Sequence, residues 1–496
     1  MNKTKVINLI VLITSLFLLI ILQSLYLENN LSDTSFNFNS YEKDIILHNS
    51  TYLSSNVNIE DSKIMNYERE ALINRLKEAE FLCRNFMYSK MITNEGAVYS
   101  TFKQGYSEST IYGVNHEVTA ESIGLLMLYA IEEKNKALFD MEVSFLKEKL
   151  LSHLGICYWK LKEDLSPYIY NGYASSALID DLRIIEGLIE GYNLWRDDRY
   201  ISLVYLMING VFNYEVNEDT GILVDYYVWR GDKGEKAKSL TLAYARLSSI
   251  LKIKKLDERG VKTFNETLKV ILNGTNNINL FYQKYDIKNR RYIGNFFNSI
   301  EELMIALSLI EVGREDKVVA VHNFFKEEYL KKNFISDLYT LKGEDSSSDA
   351  GIGAYALLAR LAIKLKDYDF ALKIILEKIL TTQEKDEKSE FYGAFINQWP
   401  LDNRDANSYD NLQALLTLKE AIKSLSDFNL LFRKTLSKRC SEHWLSLIFQ
   451  RFSQVATFAR VKRIRNLKTV NFAFINIVFD DLLMFRQGLK FLFKSC

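Results

Sequence analysis

Acidic residues that begin apolar helical segments are the groups best suited to chemistry in this sequence. Glu121 lies at the start of one such segment and Asp349 at the start of another. The neighbours Asp180 and Asp181 begin a third. Two carboxyl groups on opposite sides of a glycosidic bond can hydrolyse it, because one protonates the leaving oxygen while the other activates water or attacks directly. This chemistry requires a fold that brings the distant carboxyl groups into one cleft.

Amphipathic helical patterns fill the sequence between residues 66 and 426. In one of them Ile300, Leu303 and Leu307 recur at helical spacing. The helical patterns cover 67–90, 119–133, 137–152, 180–196, 199–214, 236–253, 258–273, 299–312, 316–330, 348–365, 368–380 and 408–424. Strand patterns are few, and no fixed-period repeat favours an open solenoid. We therefore predict an all-α fold of helical hairpins in a closed ring, an (α/α)₆ barrel.

The predicted ring would gather the acidic residues. Inner and outer helices alternate in such a barrel, so all inner helices run in the same direction and begin at the same end. Glu121, the Asp180–Asp181 pair and Asp349 would then share one cleft. The helix macrodipole alone also favours acids in a first turn, and it lowers their pKa. A general acid that works near neutral pH therefore needs burial or a negative neighbour, which Glu117 or the aspartate pair could supply.

Two of these segments resemble a known enzyme family. Residues 120–127, Ala-Glu-Ser-Ile-Gly-Leu-Leu-Met, resemble the segment that carries the general acid in family 8 glycoside hydrolases. That family has glycine where Ser122 stands. The stretch from Asp180 to Trp195 is similar to the aspartate-rich helix of the family, with Ile179 in place of its first aspartate.

A third segment extends the resemblance. Residues 348–350, Ser-Asp-Ala, resemble the segment that carries the general base of that family. The family usually has arginine three residues after this aspartate, where Ile352 stands here. The order of these landmarks over residues 66–425 is similar to a divergent branch, the exopolysaccharide-operon hydrolases of bacterial envelopes. The resemblance implies the barrel fold and inverting hydrolysis of a β-linked glucan, xylan or amino-sugar polymer.

The resemblance also implies a role for each acidic residue. Glu121 corresponds to the general acid, and Asp349 corresponds to the general base, with Asp345 as the alternative base. Asp180 or Asp181 takes the position of the residue that holds the sugar at the cleavage site.

The departures from the family pattern at Ser122, Ile179 and Ile352 leave a second function open. A barrel that has lost its base can still bind a polysaccharide without cleaving it. Such a protein would assist an envelope synthase complex in exporting or tethering the polymer.

Aromatic residues in the loops suit stacking on sugar rings. Tyr112, Trp159, Tyr173 and Trp399 are the candidates for substrate binding, and core packing is the competing interpretation for the tryptophans. Trp195 closes a helical pattern, so we predict that it packs in the core.

The composition disfavours several function classes. The 63 lysines and arginines balance 63 acidic residues, so no net charge favours nucleic acid as a partner. Five histidines and four cysteines show no metal-ligand spacing, and we predict neither a metal nor another cofactor. Asp410 begins the last helical segment and is predicted simply to cap it.

The N-terminus predicts membrane attachment. Lys3 and Lys5 precede an apolar run, residues 6–22, and acidic residues follow it. A run of this length just spans a bilayer core, and the flanking charges favour a cytoplasmic N-terminus with the body outside. We predict a signal-anchor over residues 1–27, a polar tether over 28–65, and an extracytoplasmic domain at the cell membrane. A cleaved signal peptide is the alternative and would release the domain.

Residues 427–496 form a basic, apolar extension beyond the predicted catalytic domain, residues 66–426. Basic residues alternate with apolar stretches, which is typical of a segment that meets a membrane surface or a partner. An extension with no role in the chemistry is the alternative interpretation.

Overall fold

The computed structural model describes residues 59–397 and 404–427. The chain divides into two units, residues 1–69 and 70–496, and only the last, helical residues of the first unit are described. The predicted membrane segment, most of the tether, Trp399 and the C-terminal extension lie outside the described residues. Among the helices that are described, none is both long and apolar enough to cross a bilayer.

Twelve α-helices alternate along the described chain between an outer and an inner position. The outer helices are α1 (Ile59–Phe86), α3 (Lys136–Phe145), α5 (Asp198–Tyr214), α7 (Arg259–Leu272), α9 (Val319–Lys332) and α11 (Tyr368–Ile374). The inner helices are α2 (Ala120–Glu132), α4 (Leu178–Trp195), α6 (Leu247–Ile253), α8 (Ser299–Glu311), α10 (Ile352–Lys364) and α12 (408–427). From α2 onward, each inner helix forms a hairpin with the outer helix that follows it, through a short connection.

The inner helices form a closed ring. They pack against one another in order from α2 through α4, α6 and α8 to α10. The Thr417 hydroxyl of α12 donates a hydrogen bond to the Ala356 carbonyl of α10 at 3.1 Å. The ring closes where the hydroxyl oxygens of Ser408 in α12 and Ser122 in α2 lie 2.7 Å apart. The predicted all-α (α/α)₆ barrel is thus confirmed for the described residues.

Local sequence explains how the inner helices begin and end. The side-chain oxygen of Thr119 accepts a hydrogen bond from the Ser122 amide at 3.2 Å, which satisfies one of the free amides in the first turn of α2. Most residues of α2 are buried, as expected of a helix with outer helices on one side and the barrel centre on the other. Arg196, in the left-handed conformation with φ 55°, ends α4.

Short antiparallel strands occupy the first five connections, in chain order, that lead from an outer helix to the next inner helix. Two sheets have two strands each: β1 (Val118–Thr119) pairs with β2 (Lys160–Leu161), and β9 (Phe296–Asn298) pairs with β10 (Leu338–Thr340). Two sheets have three strands each. In one, β4 (Tyr227–Arg230) lies between β3 (Ala174–Ser175) and β5 (Lys233–Lys236), and in the other, β7 (Lys284–Asp286) lies between β6 (Ser239–Thr241) and β8 (Arg291–Ile293). The long connections therefore gather at the end of the barrel where the inner helices begin, which is where binding loops are expected.

Two predicted helices were too long. The segment 236–253 is helical only from Leu247, because its first residues pair as β6 with β7. The segment 348–365 is helical only from Ile352, so Asp349 precedes the first turn instead of lying in it. In both cases the first residues of the segment pair with residues elsewhere in the chain: β6 pairs with β7, and Asp349 forms a bridge with Ser336. The local apolar pattern does not reveal such partners.

An acidic side chain lies within the barrel wall, on the outer helix α3. Glu142 is fully buried, and neither of its carboxylate oxygens has a hydrogen-bond partner in the described part of the chain. Burial raises the pKa of Glu142 well above its ordinary value, so the group is neutral in the folded protein. In the unfolded chain it ionises at its ordinary pKa, so folding stability is lost as the pH rises above that value.

Replacing Glu142 by methionine should raise the free energy of unfolding at neutral pH by about 1–3 kcal/mol, because the substitution removes a buried polar group without partners. The gain should be larger near pH 8 than near pH 5, where the wild-type group is protonated in a larger share of unfolded chains. Urea unfolding at both pH values measures the effect, with the exposed Glu148→Met as the control. Equal effects of the two substitutions would contradict the burial of a neutral carboxyl group.

Candidate active site

Glu121 lies in the first turn of α2, at the end of the barrel where the inner helices begin. The β1–β2 pair fixes this turn: Thr119 lies opposite Lys160, and the Ala120 amide donates to the Trp159 carbonyl at 3.0 Å. About a third of the Glu121 side chain, 34%, remains exposed. Its carboxyl group can therefore be reached from solution.

Arg183 of α4 links Glu121 to a second carboxylate. Its Nη1 lies 2.6 Å from Asp180 Oδ1 and 3.7 Å from Glu121 Oε1. The Arg183 side chain is almost fully buried, and Gly124 of α2 makes room for it, since a Cβ at Gly124 would lie 3.0 Å from the arginine Cδ. Glycine in a helix interior is less favourable than alanine, so the close approach of Arg183 explains why a glycine stands there.

Asp410 of α12 completes this group. Its carboxylate accepts hydrogen bonds from the Gly353 amide at 2.7 Å, Asn407 Nδ2 at 2.8 Å and Asn397 Nδ2 at 3.0 Å. The predicted capping role was wrong, because Asn407 caps α12 by accepting the Asp410 amide at 2.8 Å. The sequence did hold a signal, since Asp410 lies in the first turn of an inner helix like the other acids.

We call Glu121, Asp180, Arg183 and Asp410 the acid cluster. Burial raises the pKa of Glu121 to about 7; Arg183 opposes this shift, and the negative charges of Asp180 and Asp410 add to it. Burial also raises the pKa of Asp180 to about 6, against the attraction of Arg183. At neutral pH Glu121 is therefore partly protonated and can donate a proton, whereas Asp180 is mainly ionised.

Asp181 belongs to a different cluster. Its Oδ1 accepts the Cys157 amide at 2.8 Å, and it neighbours the buried Glu215. Burial raises the pKa of both carboxyl groups, to about 7 for Asp181. Of the two adjacent aspartates, the structure therefore brings Asp180, and not Asp181, to Glu121.

Glu117 does not supply the negative charge expected of it. Its Oε2 lies 2.8 Å from the Lys160 Nζ and accepts the Val114 amide at 2.9 Å. Lys160 is fully buried, and its ammonium group also donates to the carbonyls of Ser109 and Tyr112. The sequence alone did not reveal this buried cation. Glu117 and Lys160 instead hold the loop that carries Tyr112.

Asp349, the predicted general base, has its own partners. Its carboxylate accepts a hydrogen bond from the Tyr355 hydroxyl, and its Oδ2 lies 3.2 Å from the Lys378 Nζ. Half of its side chain is exposed. Asp345, the alternative, is also accessible and lies 3.0 Å from Lys332, which lowers its pKa. In the described residues neither aspartate forms a hydrogen bond or ion pair with the acid cluster.

Aromatic side chains line the loops at this end of the barrel. Tyr112 and Tyr173 are both about half exposed, as stacking on a sugar would require. Trp159 is partly buried and packs edge-on against Tyr168, with 5.9 Å between ring centres. Trp195, which was predicted to lie in the core, is partly buried against it.

No group of three or more histidine, cysteine, aspartate and glutamate side chains is arranged to hold a metal ion within 59–397 and 404–427. In the acid cluster, the cation between the Glu121 and Asp180 carboxyl groups is the Arg183 guanidinium. The residues of the acid cluster can donate a proton, accept a proton and bind hydroxyl groups.

Several solved structures have a fold similar to that of this chain. The chain is similar to a solved structure described as a novel alpha-amylase from Clostridium perfringens, with 24% identity and a TM-score of 0.61 over 69% of this chain and 97% of that one. It is similar to a cellobiose 2-epimerase from Bacillus thermoamylovorans, with 12% identity and a TM-score of 0.55 over 71% and 99% of the two chains. A cold-adapted family 8 xylanase shares 11% identity, with a TM-score of 0.51 over 75% and 95%. No protein-family model and no curated relative matches the sequence.

These likenesses establish the fold and confirm the barrel that the family resemblance implied. The three similar proteins carry the names of three different activities, and one fold commonly hosts many functions. The reaction must therefore be argued from the acid cluster.

The fit between Gly124 and Arg183 can be tested by adding one methyl group. Gly124→Ala should be less stable than Gly187→Ala by about 1–3 kcal/mol, because its Cβ would crowd the buried guanidinium stem. At Gly187, a helical glycine of α4, the new Cβ would make ordinary contacts with Met127 from 3.4 Å, so alanine should stabilise the helix. Chemical unfolding of both variants measures the difference. Equal stabilisation would show that Arg183 is not held against α2.

Proposed function

We propose that this protein is a glycoside hydrolase that cleaves internal β-glycosidic bonds of an extracellular polysaccharide with inversion of configuration. One observation carries the proposal: Glu121 is accessible from solution, and its pKa is raised to about 7 within a cluster of acidic groups. A sugar oxygen is a good leaving group only when it is protonated. A carboxylic acid that keeps its proton near neutral pH is the group that this step requires.

Glu121 is the general acid in this proposal. Its position at the start of α2 puts it among the long connections, where a polymer has room to bind. Loss of the proton to the leaving oxygen creates a negative charge on Glu121. Arg183, whose side chain is almost fully buried 3.7 Å away, stabilises that charge.

Asp180 is the residue that we expect to hold the sugar at the cleavage site. It is mainly ionised at neutral pH, and Arg183 fixes it at 2.6 Å. An ionised carboxylate accepts hydrogen bonds from sugar hydroxyls and stabilises the positive charge that develops on the ring in the transition state. Asp181 is held by Cys157 and Glu215, which favours a structural role.

Asp349 is the general base in this proposal. It lies four positions before Gly353, whose amide donates to Asp410 of the acid cluster, and a chain of that length reaches at most about 14 Å. An inverting pair needs about 6.5–9.5 Å between its carboxyl groups, which leaves room for the attacking water. The contacts with Tyr355 and Lys378 would orient the carboxylate while its exposed half meets water.

The exposed rings of Tyr112 and Tyr173 would stack on sugars of the bound chain, with Trp159 and Trp399 as further candidates. Similar structures are named as an amylase and a xylanase, so a substrate screen should pair α-linked with β-linked polymers. We also propose that the enzyme acts outside the cell, held at the membrane by residues 6–22. Its substrate would then be an envelope or environmental polysaccharide.

Glu121→Gln in the full-length chain should lower the rate at which new reducing ends appear by about 10²–10⁴-fold, because an amide cannot donate the proton. Binding of the same polymer should change little. Glu132→Gln, an exposed glutamate at the end of the same helix, is the control and should keep full activity. Near-normal turnover by Glu121→Gln would remove Glu121 from the role.

Two matched pairs of aspartates complete this experiment. Asp180→Asn should lose rate, whereas Asp181→Asn should keep its rate per folded molecule and lose only stability. Asp349→Asn should abolish hydrolysis if it is the base, and Asp345→Asn should not. NMR of the first product formed by the wild-type enzyme reports whether the anomeric configuration inverts.

A polysaccharide-binding protein without hydrolysis is the second candidate. The observation that favours it is the engagement of Asp349 by Tyr355 and Lys378, with no hydrogen bond or ion pair to the acid cluster among the described residues. Polymer binding without new reducing ends, unchanged by Glu121→Gln, would select this function.

A further inference from the structure

The first turn of α4, which carries Asp180, is held in a different way from that of α2. No side chain caps the start of α4, whereas Thr119 caps α2. The turn is instead connected through Asp181, the fully buried neighbour of Asp180. The Oδ1 of Asp181 accepts the Cys157 amide at 2.8 Å, and its side chain is hydrogen-bonded to that of Glu215, which directly follows α5. The orientation of Asp180 therefore depends on the partners of Asp181.

Glu215 is fully buried as well and has further partners. Its Oε1 accepts the Ser176 hydroxyl at 2.5 Å, and the Ser176 oxygen accepts the Tyr227 amide at 3.0 Å. Ser176 directly follows β3, and Tyr227 begins β4. A bond between Asp181 and Glu215 thus joins the first turn of α4 to the end of α5 and to the β3–β4 strand pair.

One oxygen of each carboxyl group is left without a donor. Asp181 Oδ2 and Glu215 Oε2 are buried, and neither accepts a hydrogen bond from another group in the described part of the chain. Two ionised carboxylates cannot hydrogen-bond to each other, because both can only accept. A single proton between these two oxygens removes the difficulty, since one group then donates and the other accepts.

No cation offsets the charge of this pair among the described residues. The titratable groups that face it are Asp180 and the Cys157 thiol, and burial raises the pKa of that thiol well above its ordinary value. Arg183 pairs with Asp180 instead. Burial also raises the pKa of Glu215 well above its ordinary value, and the charge of Asp181 adds to this shift. Asp181 therefore ionises first, and Glu215 is the group that holds the proton.

We propose that Glu215 keeps its proton in the folded protein above neutral pH and donates it to Asp181, and that this hydrogen bond positions Asp180 for the sugar. A carboxylic acid that donates to a carboxylate forms a short and strong hydrogen bond. Glu215 is then a positioning residue, which acts through α4 and does not contact the substrate. The role of Asp180 rests on the proposed function, whereas the proton on Glu215 does not.

Infrared spectroscopy of the full-length protein at pH 8 tests the proton directly. The wild type should show the carbonyl band of one protonated carboxylic acid that is missing in Glu215→Gln, and Glu142→Met calibrates the intensity of one such group. Identical carbonyl bands in the wild type and Glu215→Gln would show that Glu215 is ionised and would overturn the proposal. Glutamine keeps the shape of the protonated side chain and can still donate to Asp181, so this comparison preserves the fold.

Hydrogen exchange tests the link to α4 without any substrate. In Glu215→Leu the amides of residues 178–182 should exchange about tenfold faster or more, because the first turn loses its connection to α5. Glu215→Gln should exchange like the wild type, and so should Glu218→Leu, the control at an exposed glutamate close by. Amides at the end of α4 should not change in any variant. Equal exchange of the first turn in Glu215→Leu and Glu215→Gln would contradict the positioning role.

Kinetics connect the pair to the reaction. Glu215→Leu should lower kcat by about tenfold or more through displacement of Asp180, and Glu215→Gln should restore it. Equal loss of kcat in both variants would overturn the positioning role. If the wild type hydrolyses no polymer, the proposed function fails, whereas the infrared and exchange results still decide whether Glu215 holds the proton and the turn.

Discussion

The ion pairs of the Arg183 guanidinium are the interactions on which the acid cluster depends. The guanidinium is buried, so it must be paired, and Asp180 at 2.6 Å pairs with it. Gly124 leaves the space that its stem occupies. The same group lies 3.7 Å from Glu121, and Arg183 is also among the residues that line a cavity inside the ring of inner helices. The proton that Glu121 keeps near neutral pH thus reflects a balance between burial, which raises its pKa, and Arg183, which lowers it.

The barrel provides this arrangement through its topology. The connections from outer to inner helices are long and carry the described strands, whereas those from inner to outer helices are short. All inner helices begin at the end with the long connections. Acidic residues that are far apart in sequence, on α2, α4 and α12, therefore meet there, and the buried ion pair of Lys160 with Glu117 fixes one of the loops above them.

Much of the fold was predictable because helices depend on local periodicity. Each of the twelve predicted segments overlaps one helix, and the burial of the inner helices follows from their apolar composition. The errors concern long-range partners: Leu240 pairs with Tyr285 and turns a predicted helix into a strand. The partner of Glu117 is the buried Lys160, and the role of Asp410 depends on the Gly353 amide of another helix.

The site was predictable in part for the same reason. The first-turn position of Glu121 and its family resemblance pointed to a residue that does lie in an acidic, partly accessible cluster. Local sequence could not choose between Asp180 and Asp181, because the choice depends on the direction in which α4 faces its neighbours. The sequence did not indicate that Arg183 is part of the site, since an arginine within an apolar helix usually lies on a solvated face. The role of Asp349 stays a prediction.

The most direct test of this account is the titration of the Glu121 carboxyl group itself. NMR of protein labelled with ¹³C at the glutamate carboxyl carbons would follow its chemical shift against pH, and the resonance missing in Glu121→Gln would assign it. The account predicts a pKa of about 7. A pKa near the ordinary value of 4.5 would contradict it, because Glu121 would then hold no proton to donate at neutral pH.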